Sequence, residues 1–281
     1  MNENGPAVEQ NGETLSFPFI SEVLGLSLHY GFFDKDVQIH PSLETLANGQ
    51  KRFLQEIVTL IPPEVQSLLD VGTGTGDVAE AIAKKNIQVT TISPDPNQAE
   101  WVQSRLNSNL HFELCKFEKF TPKQKLDCVL FSESSNYVSL SQLFSKSRKN
   151  ISDTGYLIVA APFLVKPSKN FPDMHLLDDF YRYIKENKWM IDLERDYTDE
   201  TAPTLWIGQK ILQNHAAPMM RLFKKYLTHQ APWYVRLLGK ILNSETKKLD
   251  TLMTTSLPQR LDPEAFRRDV RFMFFRLRPK I

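Results

Sequence analysis

The pattern of apolar and polar positions along this chain is typical of helices in some segments and of strands in others. Residues 43–61 carry a helical stripe that ends at Pro62-Pro63, because proline cannot continue a helix. The apolar run at 65–71 predicts a buried strand, and the helical pattern after it places Val78 and Ile82 on one face. This order predicts a strand, a turn and a helix, the first unit of an α/β nucleotide-binding domain.

The same alternation continues to the end of the chain and predicts a doubly wound, seven-stranded, mostly parallel sheet flanked by helices. The last strand is expected to be the antiparallel edge. A turn is predicted at 152–155. The further strands are predicted at 88–92, 111–115, 125–131, 156–162, 189–195 and 270–277, and helices at 140–150, 175–186 and from Asp262 onward.

Five segments follow from this pattern. The polar start is expected to be disordered. A helical cap is expected to be assembled from the N-terminal segment and from residues 175–186 and 207–250. The expected segments are a disordered start at 1–16, an N-terminal cap segment at 17–61, a cofactor-binding core at 62–205, a helical lid at 206–255, and a final helix and edge strand at 256–281.

The turn after the first strand carries glycines at 72, 74 and 76. Glycine permits a positive φ and a close approach of the backbone to a ligand. A dinucleotide fingerprint G-x-G-x-x-G would place its third glycine at 77, which is Asp77 here. A pyrophosphate at this helix N-terminus would be repelled by that carboxylate, whereas a ligand that lacks phosphates and carries an ammonium is compatible with it.

Residues Leu68 to Gly76 read h-h-Asp-h-Gly-x-Gly-x-Gly and resemble the first motif of the class I S-adenosylmethionine-dependent methyltransferases. Upstream, the stretch from His29 to Asp34 resembles the His-Tyr-Gly-aromatic-aromatic-Asp signature of one branch. That branch includes tocopherol and sterol C-methyltransferases, cyclopropane fatty acid synthases and natural-product methyltransferases. The resemblance implies a Rossmann-like methyltransferase fold with a helical cap, S-adenosyl-L-methionine as cofactor and a small-molecule acceptor.

The resemblance also implies a set of cofactor-binding residues. Thr91 stands where most methyltransferases carry an acidic residue for the ribose, and Lys116 where an acidic residue binds adenine. Asp95 is a second candidate for the ribose and also a candidate helix cap before Pro96. The implied residues are Tyr30, Asp70, Gly72, Thr73, Gly74, Gly76, Thr91, Ile92, Ser93, Gln98, Phe117 and Glu118.

The segment after the fourth predicted strand is similar to an h-Glu-Ser-x-x-His stretch of the tocopherol and sterol enzymes. Tyr137 stands in place of their histidine. Because ligands bind at the carboxyl ends of strands, Glu133 is the first candidate for a catalytic role, followed by Tyr137 and His175. Glu133 could instead bond nearby backbone N–H groups. His29 is open to two interpretations, a ligand-facing group or a packed, hydrogen-bonded histidine.

The net charge of +1 argues against bulk nucleic-acid binding. From residue 221 onward there are 14 Lys and Arg against 5 Asp and Glu, so the C-terminal part is basic. Basic amphipathic helices at 219–242 are expected to form the lid, with contact to a membrane surface or to an acidic carrier protein as alternatives. With no apolar run of membrane-spanning length, no signal sequence and no metal-ligand spacing, a cytoplasmic protein without a bound metal is expected.

Three functions remain open at this stage. The first is methyl transfer to a small natural-product or lipid-like acceptor. The second is cofactor binding without methyl transfer, as a scaffold or cyclase, because Thr91 and Lys116 replace carboxylates. The third is a methyltransferase that acts on membrane lipids, for which the basic helices would supply the contact.

Overall fold

The computed structural model describes residues 24–35, 38–216, 218–219, 221–222, 225–226 and 260–280. Its centre is a seven-stranded sheet, so the predicted α/β fold is confirmed. Each strand lies within a few residues of its predicted position. The strands are β1 (Ser67–Val71), β2 (Gln88–Ser93), β3 (Leu110–Leu114), β4 (Leu126–Ser132), β5 (Ile151–Leu164), β6 (Trp189–Asp196) and β7 (Val270–Pro279).

The strand order is β3-β2-β1-β4-β5-β7-β6. The ladders from β3 to β5 are parallel, and β7 runs antiparallel to both of its neighbours. The prediction that the last strand forms the edge of the sheet is therefore wrong, because β7 lies between β5 and β6. Its side chains explain this position: Phe272 and Phe274 are buried on one face of the sheet, and Met273 and Phe275 on the other.

Strand β5 is longer than predicted. It begins at Ile151, where a turn was expected at 152–155. Leu126 pairs with Ile151 and Cys128 with Tyr156, so the register shifts over the intervening residues. The polar residues that suggested a turn form a bulge within the strand.

Helices cover both faces of the sheet. Phe53 and Ile57 of α1 (Leu43–Leu60) pack on the first face together with Val78 and Ile82 of α2 (Asp77–Ala83). The second face is covered by α4 (Leu140–Asn150) and α5 (Leu177–Glu186). The helices are α1 (Leu43–Leu60), α2 (Asp77–Ala83), α3 (Pro96–Gln103), α4 (Leu140–Asn150), α5 (Leu177–Glu186), α6 (Thr198–Thr201), α7 (Pro203–Ile211) and α8 (Pro263–Asp269).

The predicted cap is described only in part. The start at 1–16 and most of the expected lid at 206–255 lie outside the described residues, and so do most of the basic helices at 219–242. Helix α5, which was expected to belong to the cap, packs on the sheet through Phe180 and Ile184. Among the described residues, no helix combines the length and the apolar composition needed to cross a membrane.

An irregular segment of residues 26–33, here called the strap, crosses the carboxyl end of the sheet. Its aromatic side chains anchor it to the core. Phe32 packs edge-to-face on Tyr197 with ring centroids 5.0 Å apart, and His29 stacks on Phe53 at the same separation. The N-terminal cap segment is therefore partly extended rather than helical throughout.

Candidate functional site

The glycine turn lies at the carboxyl end of β1, the strand at which the order of the sheet reverses. All three glycines have positive φ, at +86° for Gly72, +54° for Gly74 and +83° for Gly76. A Cβ on Gly72 would lie 2.6 Å from Ser134 Cβ, and one on Gly76 2.8 Å from Val102 Cγ2. Around Gly74 the nearest atom to such a Cβ is Leu28 Cβ at 4.0 Å. Gly72 and Gly76 thus serve packing, while Gly74 presents an open face.

The strap begins over this turn. Leu28 lies beside Gly74, and the Ser27 hydroxyl donates to Asp77 Oδ2. Gln50 of α1 holds the same stretch, because its Nε2 donates to the carbonyls of Ser27 at 2.8 Å and His29 at 2.7 Å. The buried amide thereby fixes the backbone path of the strap.

The strap then passes over the ends of other elements. The Tyr30 N–H donates to Glu133 Oε1 at 2.7 Å, and the Gly31 N–H to Thr204 Oγ1 at 2.9 Å. The Phe32 N–H donates to the Gly49 carbonyl at 2.9 Å. Strap, glycine turn and the loop after β4 therefore meet at one place, the carboxyl edge of the parallel strands.

The Asp77 carboxylate joins the strap to the glycine turn. Oδ2 accepts from Ser27 and from Thr75 Oγ1 at 2.7 Å, and Oδ1 pairs with Arg105 Nη2 at 2.5 Å. Burial by itself would raise the pKa of Asp77, but the two hydroxyl donors and the charge of Arg105 hold it below its ordinary value. Asp77 is therefore an ionised structural node whose oxygens are already engaged.

Glu133 occupies a strained position directly after β4. Its φ is +59°, the left-handed region that side chains other than glycine rarely adopt. The backbone is held there by the Glu133 N–H, which donates to the Ala160 carbonyl at 2.7 Å. Burial raises the pKa of Glu133 to about 8, even though the Tyr30 N–H favours the ionised form. A carboxyl group with this pKa can accept or release a proton near neutral pH.

The other two candidates for catalysis have different surroundings. Tyr137 ends the short 3₁₀ turn Ser135–Tyr137 and its side chain is exposed. His175 Nε2 lies 3.0 Å from the Ser135 carbonyl and 2.9 Å from the Val138 carbonyl. Since both neighbours only accept, Nε2 carries the proton and secures the 3₁₀ turn, so this nitrogen is not free to act as a base.

Asp70 and Thr91 form a buried pair on neighbouring strands. Thr91 Oγ1 donates to Asp70 Oδ2 at 2.7 Å, and both side chains are shielded from solvent. Burial raises the pKa of Asp70 to about 7, against the effect of the Thr91 hydroxyl. The hydroxyl expected to bind a ribose thus spends its proton on Asp70, and toward a ribose it can only accept.

The remaining predicted cofactor residues divide between the loop surface and the core. Gln98 Oε1 accepts from the Gly74 N–H at 3.0 Å, which places Gln98 at the open face of the turn. Ser93 Oγ accepts from the Asp95 N–H at 3.1 Å, and Asp95 caps α3 as predicted.

Ile92 and Phe117 are buried in the second-face core, whereas Glu118 is exposed. Tyr30 stacks on Phe266 with centroids 5.6 Å apart and meets Phe272 edge-on at 5.1 Å.

Unpartnered polar atoms concentrate at the same edge. Within the described part of the chain, five buried side-chain atoms without a hydrogen-bond partner lie on the strap, on the glycine turn, or at the end of β4 and directly after it. Buried polar atoms are normally paired, so their concentration fits a polar ligand held beside an open Gly74. The atoms are His29 Nε2, Thr73 Oγ1, Ser132 Oγ, Ser134 Oγ and Ser135 Oγ.

Three site residues escaped the sequence prediction: Ser27, Gln50 and Arg105. Their contacts join residues at least 21 positions apart, so no local motif marks them. Of the three, only Arg105 could have been anticipated. Asp77 and Glu80 are acidic residues three positions apart on one helix face, and a cation can bridge them.

A cavity of about 400 Å³ lies away from the glycine turn, between α6 and α8. Its charged side chains already pair with one another. Asp199 lies 3.4 Å from Lys35 and 3.3 Å from Arg267, and Asp196 lies 3.6 Å from Arg271. This cavity is therefore the space inside an ion-pair network, and the candidate site remains the carboxyl edge of the sheet.

Known proteins resemble this chain in sequence over one domain and in fold over most of its length. The family described as "Methyltransferase domain" matches residues 68–155, from β1 through the bulge of β5. No curated protein matches the chain.

Solved structures resemble nearly the whole chain at low identity. A geranyl diphosphate methyltransferase in complex with geranyl diphosphate and sinefungin has a TM-score of 0.66 at 16% identity, covering 92% of each chain. The cyclopropane synthase MmaA2 from Mycobacterium tuberculosis has a TM-score of 0.65 at 15% identity, covering 93% of this chain and 95% of that one. The [4+2]-cyclase SpnF has a TM-score of 0.65 at 17% identity, covering 94% and 92%.

At these identities the likeness concerns the fold, and the family match concerns the domain that holds the glycine turn. Both confirm the resemblance recognised in the sequence. Residues 68–155 match a methyltransferase domain, and the chain has the fold of the class I S-adenosylmethionine-dependent methyltransferases.

Proposed function

We propose that this protein transfers a methyl group from S-adenosyl-L-methionine to a small, largely apolar acceptor at the carboxyl edge of the sheet. The observation that carries the proposal is the glycine turn inside the matched domain, with Gly74 open between Gln98 and the strap. Geranyl diphosphate on a structure of the same fold supports an acceptor of small-molecule size.

The residues that would hold the cofactor are those of the turn and its surroundings. Gly74 allows close approach of the backbone, Gln98 offers an amide, and Thr73 offers an unpaired hydroxyl. When bound, S-adenosylmethionine supplies a methyl group on a cationic sulfur, already activated for transfer. The protein's part is then to exclude water and to align the acceptor, which the strap is placed to do.

Glu133 is the residue we assign to proton handling. It lies between the strap and the end of β4, and its raised pKa keeps the carboxyl group ready to exchange a proton near neutral pH. An acceptor whose nucleophilic atom bears a proton would lose it to Glu133 as general base. Tyr137 and His175 remain predictions for this role.

Calorimetric titration with S-adenosylmethionine and with S-adenosylhomocysteine tests the proposal. The parent protein is expected to bind both, and Gly74→Ala to lose at least tenfold in affinity. Gly25→Ala is the matched control, because Gly25 has φ +64° and no atom within 4 Å of an added Cβ. Absence of binding by the parent, or equal losses in the two variants, would contradict the proposal.

The aromatic residues of the chain also suggest an apolar acceptor, and three of them lie on the strap or pack near it. Phe32 and Phe33 are buried, and Trp206 packs against the core cluster that contains Phe33. Tyr181 lies elsewhere, bonded to Glu194. Trp233 and Tyr234 lie outside the described residues. Turnover assays with a panel of terpenoid, phenolic and fatty-acyl acceptors would identify the class.

One observation favours a second candidate, cofactor binding without methyl transfer. The Thr91 hydroxyl donates its proton to Asp70, so a single accepting oxygen stands where most methyltransferases carry a carboxylate for the ribose. SpnF shows that the same fold is found in a cyclase. Cofactor binding without transfer to any acceptor in the panel would favour this candidate.

Contact with a lipid surface or an acidic carrier protein, and a cytoplasmic location, remain proposals from the sequence. The described part of the basic helices exposes Met219, Leu222 and Tyr226, which are three and four positions apart on one helix face. Co-sedimentation with anionic vesicles at low salt would test the lipid contact, since screening is weakest there.

A further inference from the structure

His29 is a half-buried residue of the site for which the proposed mechanism has no use. It lies on the strap between Leu28, which faces Gly74, and Tyr30, whose N–H is bound by Glu133. The sequence left two interpretations of this histidine open. The structure separates its two ring nitrogens and thereby assigns each a different task.

The first nitrogen is a structural donor. Nδ1 lies 2.8 Å from the Tyr30 carbonyl, which can only accept, so Nδ1 carries a proton. The stack on Phe53 fixes the plane of the ring. Burial lowers the pKa of His29, although the Tyr30 carbonyl and the charge of Asp77 favour the protonated form. The ring is therefore a neutral imidazole with a defined tautomer and orientation.

The second nitrogen, Nε2, is then unprotonated and carries a free lone pair. It is sealed from solvent and has no hydrogen-bond partner in the described part of the chain. Since the imidazole is neutral with its proton on Nδ1, Nε2 can only accept. A ligand that satisfies it must bring an N–H or O–H, so neither a carboxylate nor a thioether qualifies.

The charge around His29 favours a cationic donor. The Asp77 carboxylate acts on the imidazole, but all its oxygens are engaged by Ser27, Thr75 and Arg105. Asp77 therefore contributes negative potential without offering a free acceptor. An ammonium group near the glycine turn would be attracted by this potential and would find its acceptor in Nε2.

We infer that His29 Nε2 accepts a hydrogen bond from the ammonium of the amino-acid end of an S-adenosyl ligand. This inference rests on the proposed function, because it assigns one contact within the same site. His29 is thus a binding residue carried by the strap, so the strap itself contributes a contact to the ligand.

Three ligands separate this contact from the rest of the site. S-adenosylhomocysteine has the whole amino-acid end, its decarboxylated analogue keeps only the ammonium, and 5′-methylthioadenosine lacks both groups. His29→Asn keeps a donor for the Tyr30 carbonyl and removes Nε2, while His29→Phe keeps the stack on Phe53. Calorimetric affinities of parent and variants, with apo thermal unfolding as a folding check, make up the experiment.

Both variants are expected to lose about tenfold or more in affinity for the two ammonium ligands, as for a hydrogen bond to a charged group. Affinity for 5′-methylthioadenosine is expected to change less than twofold. Unchanged affinity for all three ligands would assign His29 to packing alone, and an equal loss for all three would assign it to general integrity of the strap; either result overturns the inference. A parent that binds none of the ligands would instead overturn the proposed function, and the inference with it.

Discussion

The backbone N–H of Tyr30 donates to Glu133 Oε1 over 2.7 Å, joining two residues 103 positions apart. This bond ties the strap to the strained residue that ends β4. It also sets the state of the carboxyl group, since the N–H favours the ionised form while burial opposes it. The position of the strap and the protonation of the candidate base are therefore linked.

The pH dependence of stability should reveal Glu133. Its pKa rises from 4.5 to about 8 on folding. Below pH 4.5 the carboxyl group of Glu133 is protonated in both the folded and the unfolded protein. Between pH 4.5 and about pH 8 it is protonated only in the folded protein, so its contribution to the free energy of unfolding falls as the pH rises through this range. Glu133→Gln removes this pH dependence. The free energy of unfolding of the variant should therefore rise relative to that of the parent by about 1.4 kcal/mol per pH unit within this range. Urea unfolding at pH 5, 6, 7 and 8 measures the difference, and a pH-independent difference would contradict the raised pKa.

The pair of Asp70 and Thr91 makes a second prediction. Thr91→Val removes the hydroxyl that bonds Asp70 and should cost about 1–3 kcal/mol of unfolding free energy. The hydroxyl stabilises the ionised carboxylate, whose pKa is about 7, so the cost should be larger at pH 8 than at pH 5. Thr90→Val, the same change on the opposite face of β2, is the control. Equal costs at both pH values would show that the hydroxyl does not act on the charge.

Asp77 should matter more than an exposed carboxylate with a similar partner. Asp77→Asn weakens the bonds to Arg105, Ser27 and Thr75, and we expect a loss of about 1–3 kcal/mol together with faster amide exchange over residues 27–33. Asp34 also pairs with an arginine, but that pair is about half exposed. Asp34→Asn should therefore cost clearly less stability than Asp77→Asn. Similar losses of unfolding free energy and similar amide-exchange rates in the two variants would show that Asp77 does not hold the strap to the glycine turn.

The glycines of the turn should respond differently to alanine. Gly72 and Gly74 both have positive φ, but only at Gly72 would the new Cβ meet Ser134 Cβ, at 2.6 Å. Gly72→Ala is expected to be less stable than Gly74→Ala by about 1–3 kcal/mol. Ser134→Gly should recover part of that loss in a double-mutant cycle. Additive effects of the two substitutions would exclude a steric origin of the loss.

The sequence alone determined the elements whose signals are local. Helix α4 spans the predicted residues 140–150, and α1 ends one residue before its predicted end, ahead of Pro62-Pro63. The glycine turn was identified because three alternate glycines directly after a buried strand indicate a tight turn that a ligand can approach closely. Periodicity, proline and glycine act over a few residues, so their consequences can be read without knowing the rest of the fold.

Tertiary structure decided what each polar side chain does. Thr91 faces Asp70 because β1 and β2 pair in one register, and Asp77 serves the strap because Ser27 reaches it from 50 positions away. The same holds for β7, whose pattern predicted a strand but not its place between β5 and β6. Burial and partner choice arise only when distant segments meet. The sequence therefore determined the domain and its glycine turn, while the tertiary structure assigned Glu133, Asp77 and His29 their surroundings.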